Sequence, residues 1–366
     1  MNLLAIETSC DETAAALIAE TGAAARPWVI RSSIVASQHD IHREWGGVVP
    51  ELASRQHVRD ICGVVEAALT QAGAQSHDID AVAVTQGPGL VGSLLVGVAF
   101  AKAYAWARDI PVIPVHHLAG HIESLTLAHG ELPLPATVLV VSGGHTSLYL
   151  VPEPGVYRLV ARTRDDAAGE AYDKVAKLLG LGYPGGPVLD RIARTGREDR
   201  FSFPATRLTH ANRFAPRATG ADLLPPELAR RTDFSFSGLK TAVLRLVQER
   251  SAGLPPGSSL PEQDVADICA SFQRVVVGTL LDRTFEVAEW LGARSVGIAG
   301  GVSANSRLRA DAEARGARLG LPVFVPPIAL STDNAAMIGA AGLRLYRAGI
   351  VGTWAFNAEA SLPLSV

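Results

Sequence analysis

Short apolar runs, each closed by glycine, serine, threonine or acidic residues, punctuate this chain. Four define its frame: Leu3-Leu4-Ala5-Ile6 before Glu7 to Thr13, Ala81 to Val84 before Thr85 to Gly89, Val138 to Val141 before Ser142 to Thr146, and Ser295 to Ala299 before Gly300 to Asn305. Continuous apolar runs bounded by turn residues predict strands buried on both faces. The first and third continue into a second apolar run, Ala14 to Ala19 and Leu148 to Val151, so each predicts a hairpin with a polar tip. The two hairpins lie about 135 residues apart, a weak internal repeat that points to two similar α/β halves.

Helical periodicity fills the intervals. Val58, Ile61, Val65 and Leu69 recur at the spacing of one helix face, within a segment read from Val48 to Ala68. Asp264 to Leu291 predicts a long helix with Ile268, Phe272, Val275 and Val276 inward, and Asn305 to Leu319 and Asp333 to Arg347 predict two more. The apolar run Leu90 to Ala107 carries Lys102 and internal glycines, and reads as a buried helix rather than a membrane span. Alternating strands and helices give an α/β class. Thr206 to Arg231, rich in Pro, Arg and Ala, predicts a region of low order, and Ser251 to Pro261 a linker.

Composition narrows the class. With 48% hydrophobic and 19% charged residues over 366 positions, the chain has enough apolar material for two filled cores. No basic stretch opens it, as a secretory leader would, and Cys10, Cys62 and Cys269 have neither pairing nor metal spacing; a reducing cytoplasm is expected. A net charge of −3 excludes a broadly basic nucleic-acid binder and leaves room for a local basic face. Such a face is offered between Arg191 and Arg231, where nine arginines stand against four acidic residues for a local balance of +5.

The candidate chemistry starts at Val115-His116-His117-Leu118-Ala119-Gly120-His121. His117 and His121 are four apart, so a helix places them one turn above each other, where two imidazoles can share a divalent metal. The same spacing equally fits ordinary polar residues at a helix start. In the metallopeptidase pattern H-E-x-x-H a glutamate serves as base beside the first histidine; Leu118 stands there instead, so a metal here positions substrate rather than activating water. Gly300-Gly301-Val302-Ser303-Ala304-Asn305 and Ser142-Gly143-Gly144-His145-Thr146 each follow a strand, and their glycines let main-chain N–H groups approach a phosphate or a nucleoside. Gly87-Pro88-Gly89-Leu90-Val91-Gly92 fits G-x-G-x-x-G, but Pro88 removes a donor and no acidic residue closes a following strand, so a dehydrogenase is rejected. A P-loop signature is absent from the sequence. Asp165 to Lys177 is strongly polar and leads into Tyr183-Pro184-Gly185-Gly186-Pro187; it suits ribose-gripping carboxylates or simply an acid-rich helix start.

Ten stretches in order carry a family resemblance: ETSCDET (7–13), GGVVPELASR (46–55), GPGLVGSLLVG (87–97), VHHLAGH (115–121), VSGGHT (141–146), DDAAGEAYDK (165–174), YPGGP (183–187), DFSFSGLKT (233–241), AGGVSAN (299–305) and STDNAAMIG (331–339). Together they resemble the TsaD family, tRNA N6-adenosine threonylcarbamoyltransferases of the actin/Hsp70-like ATPase superfamily, formerly labelled O-sialoglycoprotein endopeptidases. The resemblance implies an actin/Hsp70-like duplicated two-domain α/β fold with a nucleotide cleft between the halves. Residues 1–134, completed by a C-terminal helix 333–366, would form one half and 135–332 the other, with insertions near 205–232 and 252–263.

The resemblance also implies chemistry. One divalent metal, Fe2+ first and Zn2+ second, would be held by His117, His121 and Asp333, with Ser331 or Thr332 capping the last long helix. Substrate contacts map onto Val140, Val141, Ser142, Gly143, Gly144, Asp173, Gly186, Asp190 and Asn305. The substrates would be threonylcarbamoyl-adenylate and the adenosine 3′ of the anticodon in tRNAs reading codons that begin with A, with AMP released. Asp11 and Glu12 are candidates to take the amine proton. A TsaB-like paralogue and a TsaE-like P-loop ATPase would be partners, with no membrane association. Two rival readings are an ATP-hydrolysing metallopeptidase and a nucleotide-switched scaffold.

Overall fold

A computed structural model describes residues 1–204, 221–255 and 258–364. The described chain divides into two units: residues 1–133, 153–157 and 326–366 in the first, and 134–152 with 158–325 in the second. The arginine-bearing positions Arg207, Arg213 and Arg217 lie outside the described residues.

In unit 1, β1 (Asn2–Glu7), β2 (Glu12–Glu20) and β3 (Trp28–Ser37) form an antiparallel meander, followed by α1 (His39–Arg43) and α2 (Pro50–Ala72). Pro50 opens α2, and Gly73 closes it in the left-handed conformation at φ 62°, where only glycine is free of a Cβ penalty. Then come β4 (Ala81–Gly87), α3 (Val91–Arg108), β5 (Val112–His116) and α4 (His117–His129). β4 and β5 run parallel to β1, giving the order β3-β2-β1-β4-β5. The run read as a buried helix is α3; it buries the face that covers the sheet and leaves Val91, Leu95 and Trp106 exposed on the other.

Unit 2 contains β6 (Ala136–Val141), β7 (Thr146–Val151), β8 (Arg158–Arg162), α5 (Ala168–Leu178) and α6 (Gly185–Ala193). These are followed by α7 (Pro226–Thr232), α8 (Ser237–Ser251), α9 (Glu262–Trp290), β9 (Ser295–Ala299), α10 (Ser306–Leu319) and β10 (Val323–Phe324). The sheet order β10-β9-β6-β7-β8 repeats that of unit 1 strand for strand, with an antiparallel meander on one side and parallel strands on the other. α7 occupies part of the stretch expected to lack order. Its Leu228 is buried in the unit 2 core, which explains why a Pro- and Arg-rich segment still holds a helical turn there.

The chain then returns to unit 1 with α11 (Ile328–Ser331) and α12 (Ala335–Arg347). The expected C-terminal helix 333–366 therefore stops at Arg347. Beyond Gly349, at φ 74°, the chain runs irregularly and is tied down by main-chain acceptors: Lys102 Nζ donates to Trp354 O at 3.0 Å and to Phe356 O. His116 Nε2 lies 3.0 Å from Leu362 O. Among the described residues no helix is long and apolar enough to cross a membrane.

Candidate metal centre and glycine loops

The metal candidates come together through two glycines. α4 starts directly from the end of β5, and His116 caps it by accepting from Leu118 N at 3.1 Å through Nδ1, which accounts for the first histidine of the pair-like HH. Gly120 lies between the two remaining histidines of the motif. A Cβ there would come within 2.9 Å of Ile338 and 3.2 Å of Met337, so its absence lets α12 pack closely on α4. Gly339 does the same toward β2, where a Cβ would sit 2.4 Å from Ile18. α12 is thus drawn inward, and Asp333, just before its first turn, arrives beside α4. Its cap is Asn334, whose side chain accepts from Met337 N at 3.0 Å, rather than Ser331 or Thr332; Ser331 Oγ instead donates to Pro327 O at 3.2 Å, in α11.

The result is a three-donor cluster within unit 1. His117 Nε2 and His121 Nε2 lie 3.5 Å and 3.2 Å from the same oxygen, Asp333 Oδ1. The two rings cross nearly at right angles, 82° apart, with centroids separated by 4.7 Å. His121 is fully buried, and neither of its ring nitrogens is assigned a hydrogen-bond partner among the described residues, its nearest polar neighbour being Asp333 Oδ1 at 3.2 Å from Nε2. Buried polar atoms are nearly always satisfied, so an unbonded imidazole nitrogen aimed at a carboxylate fits a metal ligand.

His117 is anchored from behind. Its Nδ1 lies 3.1 Å from Glu7 Oε2 and 3.2 Å from Ser9 Oγ. Glu7 is fully buried at the end of β1 and also accepts from Thr85 Oγ1 at 2.7 Å and from Ser9 N. Carboxylate–histidine–metal triads of this kind fix the tautomer and the ring orientation. Burial alone would lower His117 and raise Glu7. Asp333 and Glu7 outweigh it at the imidazole, which is pushed up to about 9, and His117 outweighs it at Glu7, which is held below the usual carboxylate range. Burial holds His121 below the usual imidazole range, in the neutral form a metal needs. In the sequence Glu7 stands only as the first residue of the polar turn after the opening apolar run and of the stretch ETSCDET.

The rejected G-x-G-x-x-G loop is explained by packing. A Cβ on Gly87 would lie 2.0 Å from Glu359 O, one on Gly89 2.6 Å from Ser9 O, and one on Gly97 2.4 Å from Thr8 Oγ1. Gly87 makes room for the C-terminal tail at Glu359, whereas Gly89 and Gly97 let the β4–α3 segment close on Thr8 and Ser9, and Leu90 N donates to Ser9 O at 2.8 Å. Asp11 and Glu12 stand on the same hairpin, with His39 opposite them.

In unit 2 the family-implied substrate residues cluster where strands end and helices begin. Val140 and Val141 are buried in β6, so that the positions open to a ligand start at Ser142. Ser142 N donates to His145 O at 2.8 Å, closing a turn in which Gly143 and Gly144 are exposed and have open space where a side chain would be. The first turn of α5 presses on this loop. A Cβ on Gly169 would meet Ser142 O at 2.6 Å, and Ala168 N donates to Thr146 Oγ1 at 2.9 Å. Gly300, at φ 92°, leaves no room for a Cβ, which would sit 2.5 Å from Val141 O. Asp173 Oδ1 accepts from Gly185 N at 2.8 Å at the start of α6, and Gly186 beside it is open. Asn305 caps α10 by accepting from Leu308 N at 2.9 Å, and its amide donates to Gln273 Oε1 at 2.9 Å. Asp190 is buried and accepts from Gln273 Nε2 at 3.0 Å and Ser306 Oγ at 2.9 Å. Asp190 and Asn305 are thus joined through Gln273, a residue the sequence reading missed inside the long helix α9. Open glycines next to three helix N-termini make an anion-favouring surface.

A family model described as TsaD, tRNA N6-adenosine threonylcarbamoyltransferase, matches residues 29–340. A tRNA N6-adenosine threonylcarbamoyltransferase of Anaeromyxobacter dehalogenans (strain 2CP-C) is 51% identical over 352 residues, covering 95% of this chain and 96% of the relative. One of Moorella thermoacetica is 47% identical over 365 residues, covering 100% of this chain and 97% of the relative. Among solved structures, full-length HypF in its phosphate- and nucleotide-bound form matches with a TM-score of 0.54 at 12% identity, over 94% of this chain and 55% of that one. This last likeness bears on the fold alone.

Proposed function

The chain belongs to the TsaD family, and from that premise we propose that it transfers the threonylcarbamoyl group of threonylcarbamoyl-adenylate to N6 of the adenosine 3′ of the anticodon, in tRNAs that read codons beginning with A. The bond between the carbamoyl carbon and the phosphate oxygen breaks, a bond from that carbon to N6 forms, AMP leaves and the amine loses a proton. The observation that carries this reading, beyond the family itself, is the convergence of His117 Nε2 and His121 Nε2 on Asp333 Oδ1 with Leu118 where a metallopeptidase has its glutamate. A metal held without a neighbouring base suits orientation and polarisation of an acyl group.

His117, His121 and Asp333 would hold the ion. Two imidazoles and one carboxylate with open positions favour Fe2+, with Zn2+ as the alternative; when bound, the ion supplies Lewis-acid polarisation of the acyl group. Glu7 orients His117 through Nδ1. In unit 2, the open main chain of Gly143, Gly144 and Gly186 and the first turns of α5, α6 and α10 would bind the AMP portion. Asp190, Gln273 and Asn305 hold those turns in place. Partners are proposed as a TsaB-like paralogue and a TsaE-like P-loop ATPase; the exposed apolar side chains Val58 on α2 and Val91 and Leu95 on α3 offer a face for the first.

Depletion of the protein followed by mass analysis of tRNA nucleosides tests the reaction. Threonylcarbamoyl-adenosine is expected to disappear, and an unchanged level would overturn the assignment in favour of a scaffold. The arginine-rich segment gives a separate prediction about tRNA. If it binds phosphates, Arg207→Ala with Arg213→Ala should lower the slope of log binding constant against log salt by roughly two units. An unchanged slope and affinity would make the segment a solvated insertion.

A further inference from the structure

The group Asp11, Glu12 and His39 plays no part in the transfer chemistry assigned above, and its charges do not balance. β2 begins at Glu12, paired with Ser37 on β3, and Gln38 N donates to Asp11 O at 3.0 Å. That pairing brings His39, the first residue of α1, over the tip of the β1–β2 hairpin. His39 Nε2 lies 3.2 Å from Glu12 Oε1 and 3.7 Å from Asp11 Oδ2. One ligand atom from each of the three residues falls within 4.8 Å of the others.

Both carboxylates are withdrawn from water: Asp11 is 6% exposed and Glu12 9%. Asp11 Oδ2 has no hydrogen-bond partner and is directed into the group toward His39. Among the described residues, His39 is the only ion-pair partner of either carboxylate. A protonated imidazole facing two ionised carboxylates still leaves one negative charge in excess, and a buried uncompensated charge is strongly unfavourable. Either a proton or a cation must make up the difference. Burial, with Asp333 and Asp11 adding to it against the hydrogen bond from His39, pushes Glu12 up to about 8, so near neutral pH a proton holds that place and a cation binds by displacing it.

The donor set decides which cation competes with that proton. Two carboxylate oxygens and one imidazole nitrogen match zinc or manganese, whereas magnesium prefers oxygen donors alone. The His39 side chain is 40% exposed, which leaves the group open on one side for entry of an ion and for water ligands. We propose that Asp11, Glu12 and His39 form a second divalent-cation site, of zinc or manganese character, separate from the ion assigned to His117, His121 and Asp333. A cation there would occupy both carboxylates, Asp11 and Glu12, that the sequence offers as acceptors for the amine proton.

Zinc titration of the full chain by calorimetry, with bound metal counted after dialysis, tests this without any dependence on transfer activity. Wild type is expected to take up two zinc ions per chain, while His39→Ala and Asp11→Asn each take up one. His39 is half-exposed and Asp11→Asn is isosteric, so neither substitution opens a cavity. His121→Ala is expected to keep the ion at the hairpin, and the combined His39→Ala, His121→Ala chain to keep none. Uptake of a single ion by wild type would reduce the group to an ion pair and overturn the proposal. Two ions in both His39→Ala and Asp11→Asn would overturn it as well, by placing the second site elsewhere.

Discussion

Replacing His121 by alanine is expected to remove the ion held with His117 and Asp333 and the transfer activity together, with activity falling by more than about 100-fold. That is beyond the roughly 10- to 100-fold usual for losing a group that only supports a ligand. The reason lies in where its nitrogens point. His121 Nε2 and His117 Nε2 both face Asp333 Oδ1, at 3.2 Å and 3.5 Å, and His121 has no hydrogen bond among the described residues to keep its ring satisfied without a ligand. Because His121 is fully buried, alanine there also leaves a cavity, and lower stability could by itself reduce activity. Asp333→Asn separates the two effects: the side chain is 20% exposed, the volume is unchanged, and only the ligand charge is lost. Elemental analysis of both variants purified without oxygen, together with their unfolding midpoints, checks the prediction. A metal content as high as that of wild type in either folded variant would overturn the ligand set. Metal lost with transfer retained would detach the ion from the reaction.

Much of this was legible in the chain because it is local. Apolar runs closed by turn residues marked β1, β4, β6 and β9, and the two hairpins disclosed the repeated topology, since a strand buried on both faces leaves an unbroken apolar signature. The i, i+4 spacing put His117 and His121 on one face of α4. What joins that face to Asp333, more than two hundred positions away, could come only from the family resemblance. The physical agents are Gly120 and Gly339, which read in sequence as helix-weakening residues and act in the fold as clearance between α4, α12 and β2. Capping went astray for a related reason. Ser331, Thr332 and Asn334 all have capping chemistry, but Ser331 is engaged in the short α11, and that leaves Asn334 to start α12. The extension of the last helix to 366 failed because the tail is bound through its carbonyls by Lys102 on α3, a long-range anchor with no periodic signature.

Glu7 is the clearest case of a functional residue hidden by context, and it yields the second large effect. In sequence it is one acid at the end of an apolar strand. In the fold its two oxygens receive three donors: Ser9 N at Oε1, and Thr85 Oγ1 and His117 Nδ1 at Oε2, the latter two at 2.7 Å and 3.1 Å. Glutamine is nearly isosteric but carries a single acceptor oxygen and an NH2 group that can only donate. Whichever way its amide is turned, one of the surrounding donors meets another donor. With the amide oxygen toward Ser9, His117 loses the acceptor that fixes its Nδ1–H tautomer and leaves Nε2 free to ligate. With the oxygen toward His117, the Ser9 N–H is left unsatisfied in a buried turn. The first arrangement weakens the metal site directly, and the second strains the turn on which the site rests. Glu7→Gln is therefore expected to lower metal affinity by about 10- to 100-fold in a chain that still folds. Glu7→Asp, which keeps the charge but shortens the reach, should fall between that variant and wild type. Competition between the protein and a chelator of known affinity measures the change. If Glu7→Gln bound metal as tightly as wild type, the carboxylate behind His117 would be reduced to a structural partner of Ser9 and Thr85.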